Sequence, residues 1–213
     1  MARLDEAPTA ARPVSAGSKA DTTTARPLRA DAQRNRDRLI DVATTAFTET
    51  GVDVALEDVA RQAEVGIGTL YRHFPTREAL VMAVYRKQID ALELAARQLP
   101  LTHGPAEALR LWMRGFVEYG AVKRGLVVLL RTMMDTDSDL FDHARATLRE
   151  SADRLMAAAA DAGEIRPDFK AADVVRALGG ICMATDRAES GGAALTLVDL
   201  VFDGLRYRAP AVS

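Results

Sequence analysis

Apolar positions recur along this chain at intervals of three and four residues, and no stretch alternates apolar and polar residues as a half-buried strand would. The pattern predicts an all-α fold. Residues 1–28 stand apart: they are rich in Ala, Thr, Pro and Arg, lack apolar periodicity, and predict a disordered arm. Helical spacing begins near Asp31. Leu39, Val42, Ala43, Ala46 and Phe47 form the inner face of a first helix, which Gly51 in "TETGVD" is placed to close in a left-handed turn. Leu56, Val59, Ala60 and Ala63, at i, i+3, i+4 and i+7, mark a short second helix. A third runs from about Ile67 to Phe74.

Pro75 and Thr76 then stop one helix and start the next, Thr76 as N-cap with Glu78 in the first turn, and the fourth helix reaches about Leu99. "PLTHGP", residues 100–105, is the clearest linker. Beyond it the spacing predicts helices at about 105–120, 122–135, 138–162, 170–189 and 194–207, with breaks at "YGAVKRG", "DTDSD", "AGEIRPD" and "ESGGAA" and roughly nine helices in all.

The third helix carries the first hint of function. At about 100° per residue, Ile67, Leu70 and Phe74 share an arc that must face the first two helices, while Gly68 and Arg72 point away, flanked by Thr69 and Tyr71. His73 lies nearer the buried edge. Two short helices joined by "EVGI" on top of a longer one have the layout of a helix-turn-helix, whose second short helix enters a DNA major groove.

Charge sharpens this reading only locally. With 28 basic and 30 acidic residues in 213, the chain has a formal net charge of −2, which selects no partner. Between Val65 and Arg77, however, there is no carboxylate. A carboxylate on this face would sit against phosphates, where like charge costs affinity. Arg72 suits a guanine edge or a phosphate, Tyr71 and Thr69 can donate to phosphate oxygens, and Arg77 reaches the backbone from the next helix.

"LEDVARQAEVGIGTLYRHFPTREAL" closely resembles the signature of the TetR/AcrR-like family of bacterial one-component transcription regulators, and the resemblance extends over about residues 33–80. It implies an N-terminal three-helix DNA-binding head at residues 29–77 and a larger helical C-terminal domain at residues 78–213 that binds an effector and dimerises. Position by position, Gly68, Thr69, Tyr71, Arg72 and His73 match the recognition helix, Arg77 the phosphate-contacting base, and Leu56, Val59, Ala60, Leu70 and Phe74 the core. Two residues depart from the family pattern. Ala55 stands where Ser or Thr usually caps the second helix, an expected loss of about 0.5–2 kcal/mol that Asp53 is placed to offset. Glu64 stands where Gly is usual in the turn.

Other chemistry finds little support. Three histidines (His73, His103 and His143) and the single Cys182 are too scattered for a zinc site, and neither HExxH nor CxxC occurs, so neither metal nor cofactor is expected. "DTDSDLFD" opens like a calcium loop, but Leu140 and Ala146 stand where Gly and Glu are needed, and it reads as a cap for the next helix. No Ser or Cys nucleophile has a base nearby. One cysteine rules out an internal disulfide, and no apolar run approaches the roughly 18 residues that span a bilayer, so the expectation is a cytoplasmic protein with no membrane partner.

In the C-terminal part, Trp112, Met113, Phe116 and Tyr119, with Leu129, Leu130, Met133 and Met134, form an apolar set that lines a pocket or simply packs a core; Arg131 and His143 are candidates to orient a ligand's polar group. Leu178, Ile181, Leu195, Val198, Val201 and Phe202 give the last two helices wide apolar arcs, with Gly179 and Gly180 permitting close approach, which predicts a dimer face. The expected function is a homodimeric regulator, a repressor that binds double-stranded operator DNA and is released by a small apolar effector. The alternative is a helical ligand-binding or enzymatic protein whose helix-turn-helix is structural.

Overall fold

The computed structural model describes residues 25–133, 138–184 and 190–206. Among these, eight α-helices occur and no strand: α1 (Ala25–Glu49), α2 (Leu56–Gln62), α3 (Ile67–His73), α4 (Arg77–Gln98), α5 (Pro105–Met133), α6 (Ser138–Asp161), α7 (Ala171–Ala184) and α8 (Ser190–Arg206), with a 3-10 turn at Leu99–Leu101. Contacts group the chain into two units, Met1–Arg34 and Asn35–Ser213. In the first, the described part is helical from Ala25, which corrects the expectation of an unstructured arm as far as residue 28; the residues before it lie outside the described ones. The second unit carries the rest of α1 and all the other helices.

Within that unit the head is built as the spacing predicts. Leu39, Phe47, Val59 and Leu70 are fully buried and bring the first three helices onto one core, to which α4 adds Leu80 and Val81. Gly51 adopts φ 92°, a left-handed conformation that suits a residue without Cβ, and its N–H donates to Phe47 O at 3.0 Å to close α1. The Arg36 guanidinium covers the Phe74 ring at 5.4 Å and pins the end of α3 beneath α1.

The two helices expected at 105–120 and 122–135 are one. α5 runs unbroken for 29 residues through "YGAVKRG". Two of its glycines are points of close approach: a Cβ at Gly120 would collide with the Cys182 side chain on α7, and one at Gly125 with the Phe47 carbonyl at the end of α1. α5 therefore packs against both α7 and the head. Trp112, fully buried, donates from Nε1 to Leu92 O at 3.0 Å and ties α5 to α4. At the other edge Arg114 and Arg110 reach Asp199 of α8 at 2.7 and 3.3 Å. These guanidiniums hold the Asp199 carboxyl below its usual range, Arg114 contributing most.

Candidate nucleic-acid interface and ligand cavity

α3 commits one side chain, Leu70, to full burial, worth about 1.5–3 kcal/mol, and Phe74 seals its end. Its outer face presents Gly68, Tyr71 and Arg72 to solvent, with Thr69 and His73 half-buried on the flanks. Arg72 lies back along its own helix, donating to Thr69 Oγ1 at 3.2 Å and weakly to Gly68 O at 3.4 Å. Both are local bonds within α3, and breaking them leaves the core contacts of Leu70 and Phe74 intact. A Cβ at Gly68 would meet nothing within 4 Å, so packing does not demand this glycine; it leaves the backbone open to approach from outside. Ile67 corrects the angular reading. It is 39% exposed, because the first turn of α3 projects past the edge of the core.

The turn before α3 carries the Glu64 departure. Glu64 adopts φ 54°, its N–H donates to Arg61 O at 3.1 Å, and the Val65 N–H donates to Ala60 O at 2.9 Å, the paired bonds of a Schellman closure. The turn keeps its geometry and places a Cβ in the left-handed region. Arg38 approaches the Glu64 carboxylate at 3.9 Å, a long, exposed pair that only partly offsets its charge. At the start of α2, Ala55 makes no side-chain cap and Asp53 does not replace it. Thr76 does cap α4, accepting from the Ala79 N–H at 3.2 Å.

Arg77, expected at the phosphates, is anchored inward. One guanidinium nitrogen donates to both Val52 O and Val54 O, the latter at 2.7 Å, bracing the loop between α1 and α2.

A second concave site opens among α4, α5, α6 and α7, a cavity of about 510 Å³. Of the residues expected in a pocket, Phe116, Tyr119, Leu130 and Arg131 line it. The others do not: Trp112 and Met113 are core, Leu129 and Met133 are half-buried without contributing to the wall, His143 is exposed, and Met134 lies outside the described residues. Tyr85, Lys123, Arg124, Phe141 and Cys182 were not anticipated there. Phe116, Tyr119, Lys123, Val127 and Leu130 follow one another at three- and four-residue steps on α5, a stripe hidden by reading "YGAVKRG" as a break. Tyr85 Oη and Tyr119 Oη stand 3.4 Å apart, and burial pushes both phenols up, Tyr119 the further, so they remain neutral. Burial likewise raises the Cys182 thiol, which leaves it an inert packing group. Among the described residues no three His, Cys, Asp or Glu side chains gather as metal ligands would.

Residues 39–84 match the family described as bacterial regulatory proteins, tetR family, and residues 104–207 match the SbtR-like transcriptional regulator C-terminal domain. A TetR transcriptional regulator of Streptomyces coelicolor is 42% identical and superimposes with a TM-score of 0.75 over 82% of this chain and 99% of its own. The chain belongs to the TetR family. A second TetR regulator, from Mycobacterium vanbaalenii, is 37% identical with a TM-score of 0.70, covering 85% of this chain and all of its own. A helix-turn-helix-type transcriptional regulator of Staphylococcus aureus is 36% identical over 64 residues, 30% of this chain; the match spans 35% of that curated relative's length.

As a TetR-family regulator the chain has a head and a helical body, and its last helices need one correction. Leu178, Ile181, Val198 and Phe202 are buried within the chain, and Leu195 and Val201 are half-buried, because α7 and α8 turn these residues toward α5 and each other. The apolar groups left outside are Met183 at 69%, Leu200 at 66% and Leu197 at 38% exposure, beside the exposed Gly180 and Gly204. No helix among the described residues is long and apolar enough to cross a membrane.

Proposed function

We propose that this TetR-family regulator is a homodimeric repressor, holding operator DNA through α3 and releasing it when a small effector fills the α4–α7 cavity. The observation that carries the reading is the path of α5. One side of this continuous helix lines the cavity at Phe116, Tyr119, Lys123 and Arg124, and the next residue, Gly125, lies against the backbone of α1 in the head. A ligand that shifts α5 therefore acts on the head by direct backbone contact, and coupling of about 1–3 kcal/mol is enough to change occupancy. The exposed side of α7 and α8, with Leu197, Leu200 and Met183 beside Gly180 and Gly204, supports pairing of two copies as a four-helix bundle. Two heads then meet successive major grooves about 34 Å apart.

Tyr71 and Arg72 face the duplex in this scheme, with Thr69, Gly68 and His73 at its edges, while Arg77 holds the loop that supports them and offers its remaining N–H groups to phosphate. The test is selection of bound fragments from the parent genome, starting with DNA beside the protein's own gene. A two-fold-symmetric site recovered there is expected. Recovery of no sequence above background overturns the repressor reading.

A further inference from the structure

The cavity is unevenly charged. Five cations, Lys123, Arg124, Arg131, Arg145 and Arg176, line it and no Asp or Glu does. Two of these already have partners on their own helices: Arg145 with Asp142 and Arg176 with Asp173, at 2.8 and 2.7 Å. Among the described residues no carboxylate pairs with the other three. Lys123 turns its ammonium over the Tyr119 ring, 5.7 Å from the centroid. Desolvation, then the Arg145 charge, pulls its pKa below the usual lysine value. Arg124 spends one N–H on the Cys182 carbonyl, while its Nε is buried with no acceptor among the described residues. A buried donor left without an acceptor costs stability, and a ligand oxygen removes that cost.

The remaining wall is apolar and aromatic, with Phe116, Phe141, Leu130 and Leu148. Such a wall favours a ligand with a hydrocarbon or ring body over a bare inorganic ion. Arg124 is half-buried and the other four cations are exposed, so a neutral ligand gains nothing from their charge and a cationic one is repelled.

Resting on the effector reading above, we propose that the cavity selects an organic anion: an apolar body against the aromatic wall and a single carboxylate held by Lys123 and Arg124. The neutral Tyr85 and Tyr119 hydroxyls supply further donors beside it. Charge-assisted bonds of this kind, in a partly desolvated site, separate an acid from the matching alcohol by about tenfold to a hundredfold in affinity.

Three probes of equal chain length test this on the full chain by calorimetry at fixed ionic strength: decanoate, 1-decanol and decyltrimethylammonium. Decanoate should bind one per protomer, at least about tenfold more tightly than decanol, and the ammonium should not compete. Lys123→Met, at a side chain that bonds no backbone group, should erase most of the preference without weakening decanol binding. Arg124→Gln, checked for native helicity, should do the same. Gly179 lines the cavity with open space where a Cβ would stand, so Gly179→Met should block both ligands. Equal affinity for acid and alcohol, a preference that survives both charge substitutions, or binding unaffected by Gly179→Met overturns the anion assignment. Decanoate binding that leaves operator affinity unchanged overturns the effector reading and leaves the anion site standing.

Discussion

The head and the helical body pack alike and differ in where they keep their polar chemistry. α3 gives Leu70 to the core and turns Tyr71, Arg72 and Gly68 outward, whereas α4 to α7 turn Tyr85, Tyr119 and Arg124 inward around a cavity. Outward groups are held by local bonds, as Arg72 is by Thr69 of its own helix. Inward groups are held by bonds to a neighbouring helix, as Arg124 is by the Cys182 carbonyl and Trp112 by that of Leu92. A substitution on the outer face should thus change what the protein binds at little cost in stability; one at a fully buried inner position should lower stability as well.

The sharpest contrast lies on α8, one helical face against the other. Val198 is fully buried, and Val198→Asp places an unpaired charge in the core, a loss on the order of 3–5 kcal/mol that should leave little folded protein. Leu200, 66% exposed two residues on, is different. Leu200→Asp should retain native helicity by circular dichroism and sediment as a monomer at micromolar concentration. If Val198→Asp folds normally, the division into inner and outer faces fails.

On the head, Arg72→Glu should cost on the order of a hundredfold in operator affinity, replacing attraction by repulsion, while the thermal midpoint stays within about one degree of wild type. Arg77→Ala probes the mixed case. Removing its guanidinium leaves the Val52 and Val54 carbonyls without their donor, and stability should fall by about 1–3 kcal/mol, with affinity lowered equally for all sequences. A wild-type denaturation midpoint for Arg77→Ala would mean that its role lies on the outer face alone.

How legible each region was in the sequence depends on the same contrast. The head is written in contiguous residues: Leu56, Val59, Ala60 and Ala63 set one face, Thr76 caps α4, and the acid-free window coincides with the exposed face of α3. Ile67 escaped because angle alone does not say where a core ends. The cavity is assembled from four helices between Tyr85 and Met183, and its defining residues are neighbours only after folding. Gly120 and Gly125 were misleading for a physical reason. Glycine marks both a turn and a close approach of two backbones, and here it marks the second. The last two helices are apolar on both sides, so their pattern does not distinguish Val198 facing inward from Leu200 facing outward.

The smallest expected effect is at the turn. In the left-handed region a non-glycine residue is strained by about 1–2 kcal/mol, and glycine gives back part of that in unfolded-chain entropy, so Glu64→Gly should stabilise the head by about 0.5–1 kcal/mol. Loss of the carboxylate beside α3 should also raise operator affinity slightly. Gly163 holds the same closure at the end of α6 with φ 72°, and Gly163→Ala is the matched control, expected to destabilise by a similar amount.

The central claim is that α3 is a DNA-binding surface, and the salt dependence of duplex binding tests it most directly. Fluorescence anisotropy of wild type and Arg72→Glu on one labelled genomic fragment, at several salt concentrations, gives the slope of log affinity against log salt. A steep negative slope is predicted for wild type, shallower by about one phosphate equivalent or more in Arg72→Glu. Duplex binding that is independent of salt, or identical slopes and affinities for the two proteins, would contradict it.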